Sequence, residues 1–148
     1  MTLLVYCVSK PQGCAVIAAR ETHTQDSSVS LPTILVVEDE VLLRLEVAEY
    51  LRAQGFRVLE AADADEALKL LSSSSERIEL LFSDVNMPGS TDGLGLARWV
   101  RENQPWVEVI LTSGNSRPEI KTAWDGVLIE KTYDYAAVAL QIRLLLQL

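Results

Sequence analysis

The chain has 148 residues, room for one hydrophobic core, and its 49% apolar and 23% charged residues are those of an ordinary globular protein rather than a disordered or fibrous one. A formal net charge of −8, from 21 acidic against 13 basic residues, repels phosphate backbones and anionic lipids, so neither nucleic acid nor membrane is an expected partner. Two cysteines, Cys7 and Cys14, are too few for a disulfide framework and fit no zinc-ligand spacing, as expected in a reduced compartment.

Residues 1–32 read as an extension and linker, or as sequence upstream of the true start. Two apolar pieces, LLVYCV and CAVIAA, flank the turn-like KPQG and suggest a hairpin; polar ETHTQDSSVS and Leu31-Pro32 close the segment. The opening lacks a basic leader and is broken at Lys10-Pro11-Gln12-Gly13, so it does not read as a secretion signal. No apolar run approaches the ~18–20 residues of a membrane span. The expected location is the cytoplasm.

From Thr33 to the end, residues 33–148, a regular rhythm marks a single domain. TILVV (33–37) is a continuous aliphatic run, the pattern of a strand buried on both faces. A helix follows to about Gln54, with Val41, Leu42, Leu45, Ala48 and Leu51 as its predicted inner stripe and Arg44, Glu46 and Glu49 in water. Gly55 ends it. RVLE (57–60) is the second strand, and Asp63 caps a helix through about Leu71. After the SSSSE loop, IELLFS (78–83) is a third buried strand that ends at Asp84. The turn formers NMPGSTDG lead into a helix from about Gly93 to Asn103, stopped before Pro105. VEVILT (107–112) and GVLIE (126–130) are strands four and five, and Tyr133 to Leu146 is a closing helix. Between strands four and five, SGNSRPEIKTAWDG offers at most two helical turns, interrupted by Pro118, so this fourth helix is expected to be short or irregular. Alternating strands and helices with short loops predict an α/β fold, a doubly wound five-stranded parallel sheet with helices on both faces.

In such a sheet the functional crevice lies beyond the carboxyl ends of the strands. Glu38, Asp39 and Glu40 follow the first strand, Asp84 ends the third, Thr112-Ser113 ends the fourth and Lys131 follows the fifth. Neighbouring strands lie ~4.8 Å apart, so these groups can converge. Carboxylates gathered at one edge repel by ~1 kcal/mol per pair in water at ~4 Å, and by ~4 kcal/mol at an effective dielectric of about 20. A hard cation such as magnesium relieves that repulsion, Lys131 supplies a second positive charge, and Thr112 supplies a hydroxyl donor. A nucleophilic carboxylate with these three aids is a phosphoryl-transfer site built on positioning and charge neutralisation. Each residue also has a plainer reading. Glu38 and Asp39 are suitable helix caps, Glu40 suits a solvated helix start, and Asp84 suits a turn. Thr112 alone is an ordinary strand residue and Lys131 alone a solvated lysine. Their joint arrival at one sheet edge favours the chemical reading. The single histidine, His23, lies in the linker, which leaves no histidine triad in the domain, and Trp99, Trp106 and Trp124 read as packing and surface residues.

VVEDE, then SDVNMPG, then LTS, then a lysine after the fifth strand resembles the receiver domain of two-component response regulators, over residues 33–148. The resemblance implies a flavodoxin-like fold and phosphorylation at Asp84. It implies Mg2+ held by Glu38, Asp39, Asp84 and the backbone carbonyl of Asn86, with Thr112 as switching hydroxyl and Lys131 paired to the phosphoryl group. It further implies a sensor histidine kinase or phosphotransfer protein as donor, a downstream protein target, slow self-dephosphorylation and a monomer or weak dimer. Only one helix of sequence follows Lys131, so the expected protein is a stand-alone receiver and not an enzyme in the usual sense. Two positions depart from the family pattern. Thr132 stands where a proline usually follows the lysine, and Leu128 where an aromatic residue is common. With the weak fourth helix, these predict an order–disorder change over residues 114–126 in place of aromatic rotation. The competing readings are a pseudo-receiver that binds partners without phosphorylation and an aspartate-nucleophile phosphatase. The phosphatase wants an acid two residues after the nucleophile, where this chain has Asn86. A nucleotide-binding module is weaker still, since Gly93-Leu94-Gly95 lacks the third glycine and the preceding strand end.

Overall fold

The computed structural model describes residues 30–73, 75–114 and 118–148. The predicted hairpin of the first segment lies outside the described residues. Five strands and five helices alternate: β1 (Thr33–Val37), α1 (Val41–Ala53), β2 (Arg57–Ala61), α2 (Ala64–Ser73), β3 (Leu80–Asp84), α3 (Gly93–Asn103), β4 (Glu108–Ser113), α4 (Pro118–Ala123), β5 (Val127–Glu130) and α5 (Tyr135–Leu145). The strands form one parallel sheet in the order β2-β1-β3-β4-β5. The continuous apolar runs take its centre. Every residue of β1 and β3 is buried, whereas β5 forms an edge and is only partly covered.

Strand side chains alternate between the two faces, which sorts the core into two layers. Ile34, Val36, Leu80, Phe82 and Ile110 pack with Val47, Ala48 and Leu51 of α1 and with Val138, Ala139 and Ile142 of α5. Leu35, Val37, Leu81, Val109 and Leu111 face α2, α3 and Ile120 of α4 on the other side. The same parity directs Glu38, Asp84 and Thr112 to the α1–α5 side at the carboxyl edge. The chain winds outward in both directions from β1 and β3, so the crevice between their ends is the topological switch point.

Local signals in the sequence set most element ends. Asp63 accepts from the Glu66 N–H at 2.7 Å, and Glu66 reaches back to the Ala62 N–H at 2.8 Å, a reciprocal cap on α2. Asp92 and Asp134 cap α3 and α5 by accepting from the Gly95 and Ala136 N–H groups. Gly55, at φ +87°, carries the chain out of α1.

The expected inner stripe of α1 holds at Ala48 and Leu51 and is corrected in its first half. Val41, Leu42 and Leu45 are exposed, at 54%, 71% and 41%, and the buried residues are Val47, Ala48 and Leu51. VLLRLEVAEYL is apolar around more than one helical face, so periodicity alone leaves its rotation open. Arg44 decides it. Instead of standing in water, its guanidinium donates to the Glu38 carbonyl at 2.6 Å and lies 3.7 Å from Glu60, which turns its side of the helix toward the sheet edge. The fourth helix is short, as expected, but Pro118 opens it rather than interrupting it, a position where proline's missing N–H costs nothing. Trp124 is buried and its indole N–H donates to the Val127 carbonyl at 3.2 Å, whereas Trp106 is exposed.

Candidate functional site

β1 delivers Glu38 and Asp39 to the crevice. Glu38 is only 4% exposed, and its backbone N–H donates to the Ala61 carbonyl at 3.2 Å, which ties the end of β1 to β2. Its side chain accepts from the Glu40 N–H at 3.3 Å. Asp39 faces solvent. β3 delivers Asp84, also 4% exposed, whose Oδ1 accepts from the Asn86 N–H at 3.2 Å. Asp84 stands opposite Thr112 in the β3–β4 register, and the Thr112 carbonyl accepts from the Val85 N–H at 2.8 Å. Lys131 enters from the end of β5, its own N–H held by the Ser113 carbonyl at 2.8 Å.

The loop after Asp84 is fixed sterically. A Cβ on Gly93 would stand 1.8 Å from the Asp84 carbonyl oxygen, so only glycine lets α3 begin against the end of β3. The Gly93 N–H also donates to the Val85 carbonyl at 3.0 Å. The Gly-Leu-Gly that fails as a nucleotide motif thus has a packing role beside the acidic residue.

Lys131 links the two buried acids: its Nζ lies 2.8 Å from Asp84 Oδ2 and 3.0 Å from Glu38 Oε2. Carboxylate oxygens of Glu38, Asp39 and Asp84 lie within 4.8 Å of one another. Three carboxylates around one ammonium leave negative charge to spare. Burial pushes the Glu38 carboxyl above the usual carboxylate range, and the neighbouring Asp84 charge adds to this, against the opposing hydrogen bond from Lys131. Burial pulls the Lys131 ammonium down, but its bonds to Asp84 and Glu38 outweigh that and hold it above its ordinary value. The Thr112 hydroxyl is buried without a hydrogen-bond partner among the described residues. A hard cation and an oxyanion answer both imbalances, so the donor set of all-oxygen ligands fits Mg2+.

All the candidates therefore gather at one edge: Glu38, Asp39, Asp84, Thr112 and Lys131, with Asn86 joined through its N–H. Glu40 stays exposed at the start of α1. Two neighbours of the site escape a reading of the sequence. Arg44 grips the Glu38 carbonyl, a contact that depends on the rotation of α1. Tyr133 places a buried hydroxyl in the α1–α5 layer, also without a hydrogen-bond partner among the described residues. Its hydroxyl is pushed well above the ordinary tyrosine range by burial first, and then by the charges of Glu38, Tyr135 and Asp84.

A five-stranded parallel sheet in this order, with two acids after its first strand and an aspartate ending its third, defines the flavodoxin-like fold of the CheY-like receiver class. The chain belongs to the response regulator receiver domain family, whose model matches residues 34–127. It is 33% identical over 105 residues to the transcriptional regulatory protein PdtaR of Mycobacterium tuberculosis, a match covering 70% of this chain and 50% of that protein. The match thus spans about half the length of that relative. Among solved structures, a response regulator receiver protein from Sinorhizobium medicae superposes with a TM-score of 0.74 at 27% identity, covering 81% of this chain and 98% of the other. The response regulator TrrA from Thermotoga maritima, solved in complex with Mg(2+)-BeF, gives a TM-score of 0.68 at 28% identity, covering 78% and 99%. No helix among the described residues is long and apolar enough to cross a membrane.

Proposed function

We propose that the chain accepts a phosphoryl group on Asp84 from a histidine kinase or phosphotransfer protein, and signals through protein–protein contacts. The observation that carries this reading is the buried Asp84 carboxylate held by Lys131, with the unpartnered Thr112 hydroxyl opposite it in the sheet. An Asp84 oxygen attacks the phosphorus of a phosphohistidine, the P–N bond breaks, and the imidazole leaves with a proton while an acyl phosphate forms. Lys131 then pairs with the phosphoryl oxygens and Thr112 donates to one of them. Glu38, Asp39, Asp84 and the Asn86 carbonyl are the proposed Mg2+ ligands, and the T. maritima complex with Mg(2+)-BeF supports that assignment by analogy. Mg2+ supplies neutralisation of the charge on the transferred group. Slow hydrolysis by water resets the site.

The domain takes in residues 33–148, since α5 closes the layer beneath Glu38 and Asp84. Exposed Val41, Leu42 and Leu45 follow after Asp39 and Glu40 and give a donor protein an apolar surface next to the acids. The working location is the cytoplasm, where such kinases present their phosphate, and the chain acts as a monomer or weak dimer. Incubation with acetyl phosphate and Mg2+ followed by intact mass measurement tests the reading. The expected result is the gain of one phosphate that Asp84→Asn abolishes. No gain with any donor favours a pseudo-receiver that binds partners without chemistry.

A further inference from the structure

Capture at Asp84 has to alter a surface, and the aromatic route through the position three residues before the lysine is closed. Leu128 stands there, and it packs into the α2–α4 layer, away from the face that carries Asp84 and Thr112. A different chain of contacts leaves the site. Phe82 lies two residues before Asp84 on the same face of β3. Its ring meets Tyr133 edge-on, with centroids 5.9 Å apart and planes at 89°. Tyr133 meets Tyr135 at 5.9 Å, and Tyr135 meets Tyr50 of α1 at 5.6 Å. The Tyr135 hydroxyl donates to Glu46 at 2.8 Å on the surface of α1.

The start of this chain is held in an unfavourable state. Lys131 is anchored by Asp84, Glu38 and the Ser113 carbonyl. Tyr133 is anchored by burial of its ring, at the expense of a hydroxyl without a partner among the described residues. Thr132 bridges the two anchors at φ +72°, a left-handed conformation that β-branched residues avoid. Its side chain is exposed, so no packing around it favours that conformation. The constraint comes from the anchored neighbours.

We infer that Lys131-Thr132-Tyr133 is the conformational reporter of the site, and that its state reaches the α1–α5 face around Tyr50, Glu46 and Tyr135. This rests on phosphoryl capture at Asp84. A phosphoryl group there draws Lys131 from the carboxylate oxygens toward its own. The anchor moves, Thr132 leaves the left-handed region, and Tyr133 reorients to find a partner for its hydroxyl. Tyr135 and its bond to Glu46 follow.

Hydrogen–deuterium exchange on the full chain, with and without acetyl phosphate and Mg2+, tests this, and intact mass on the same samples reports capture. In the parent chain, capture is expected to change exchange several-fold over residues 133–146 and 42–50. Thr132→Gly accepts the left-handed conformation without strain, so it should gain the phosphate normally and lose most of that response. Tyr133→Phe should also gain the phosphate, melt at a higher temperature in the free state and respond weakly. A phosphate gain with exchange changes confined to 118–126 overturns the reporter and leaves the phosphoryl site intact. A full response in Thr132→Gly overturns it as well. No gain of mass with any donor overturns both readings together.

Discussion

Lys131 is the residue on which the charge balance of the crevice turns. Its ammonium is the cation that both buried acids share, so removing it strands two carboxylates out of water. Breaking a fully buried pair costs about 3–5 kcal/mol, and partial solvation of this ammonium lowers the expected loss in Lys131→Met to roughly 1–3 kcal/mol. Urea denaturation without divalent cations measures it. Glu38 gives a pH dependence of definite sign. Its carboxyl pKa is raised in the folded chain by burial, so the folded state holds that proton more tightly than the unfolded one. Stability therefore falls as pH rises from the ordinary carboxylate range through the raised value. Glu38→Gln should flatten that part of the curve in a pH series of denaturation midpoints.

The elements carry the second scale of argument. α3 begins against the last residue of β3, and Gly93 is the position that allows it. Gly93→Ala drives a methyl into the Asp84 carbonyl, so either the helix start or the strand end must shift. The expected cost is about 1–3 kcal/mol by urea denaturation, the range for forced overpacking. The cap at Asp63 and the buried strand TILVV were legible in the sequence because each has a local cause: a short acidic side chain before a helical stripe, and an aliphatic run that buries both faces. The rotation of α1 was not legible. Its apolar residues fit two faces, and the choice falls to Arg44, which reaches partners on β1 and β2 that no local pattern reveals. For α4 the length was readable and the role of Pro118 was not, since proline reads as a breaker inside a helix and as a starter at its first turn.

Across the whole molecule, strand parity and strand order do the work of assembly. Glu38, Asp84 and Thr112 face one way because Val36, Phe82 and Ile110 below them do, and this much follows from a period of two along each strand. The outward route through Tyr133 could not be read in the same way. The left-handed conformation of Thr132 and the stranded hydroxyl of Tyr133 lie next to a Lys131 that reaches across the sheet edge to the acids, an arrangement no local pattern shows. Net charge of −8 and three clustered carboxylates also predict a response to cations. Mg2+ should raise the melting temperature in proportion to the logarithm of its concentration above Kd. Asp39→Asn should blunt that rise, as followed by thermal denaturation across an Mg2+ titration.

The central claim concerns one atom group, the Asp84 carboxylate, and it is tested most directly by locating the phosphate. An acyl phosphate is reduced by borohydride to an alcohol, which turns a phosphorylated aspartate into homoserine. Peptide mass mapping after treatment with acetyl phosphate, Mg2+ and borohydride should find homoserine at position 84. Homoserine at another acidic residue, or an unchanged peptide across 78–93 in a sample that has gained a phosphate, would contradict the account.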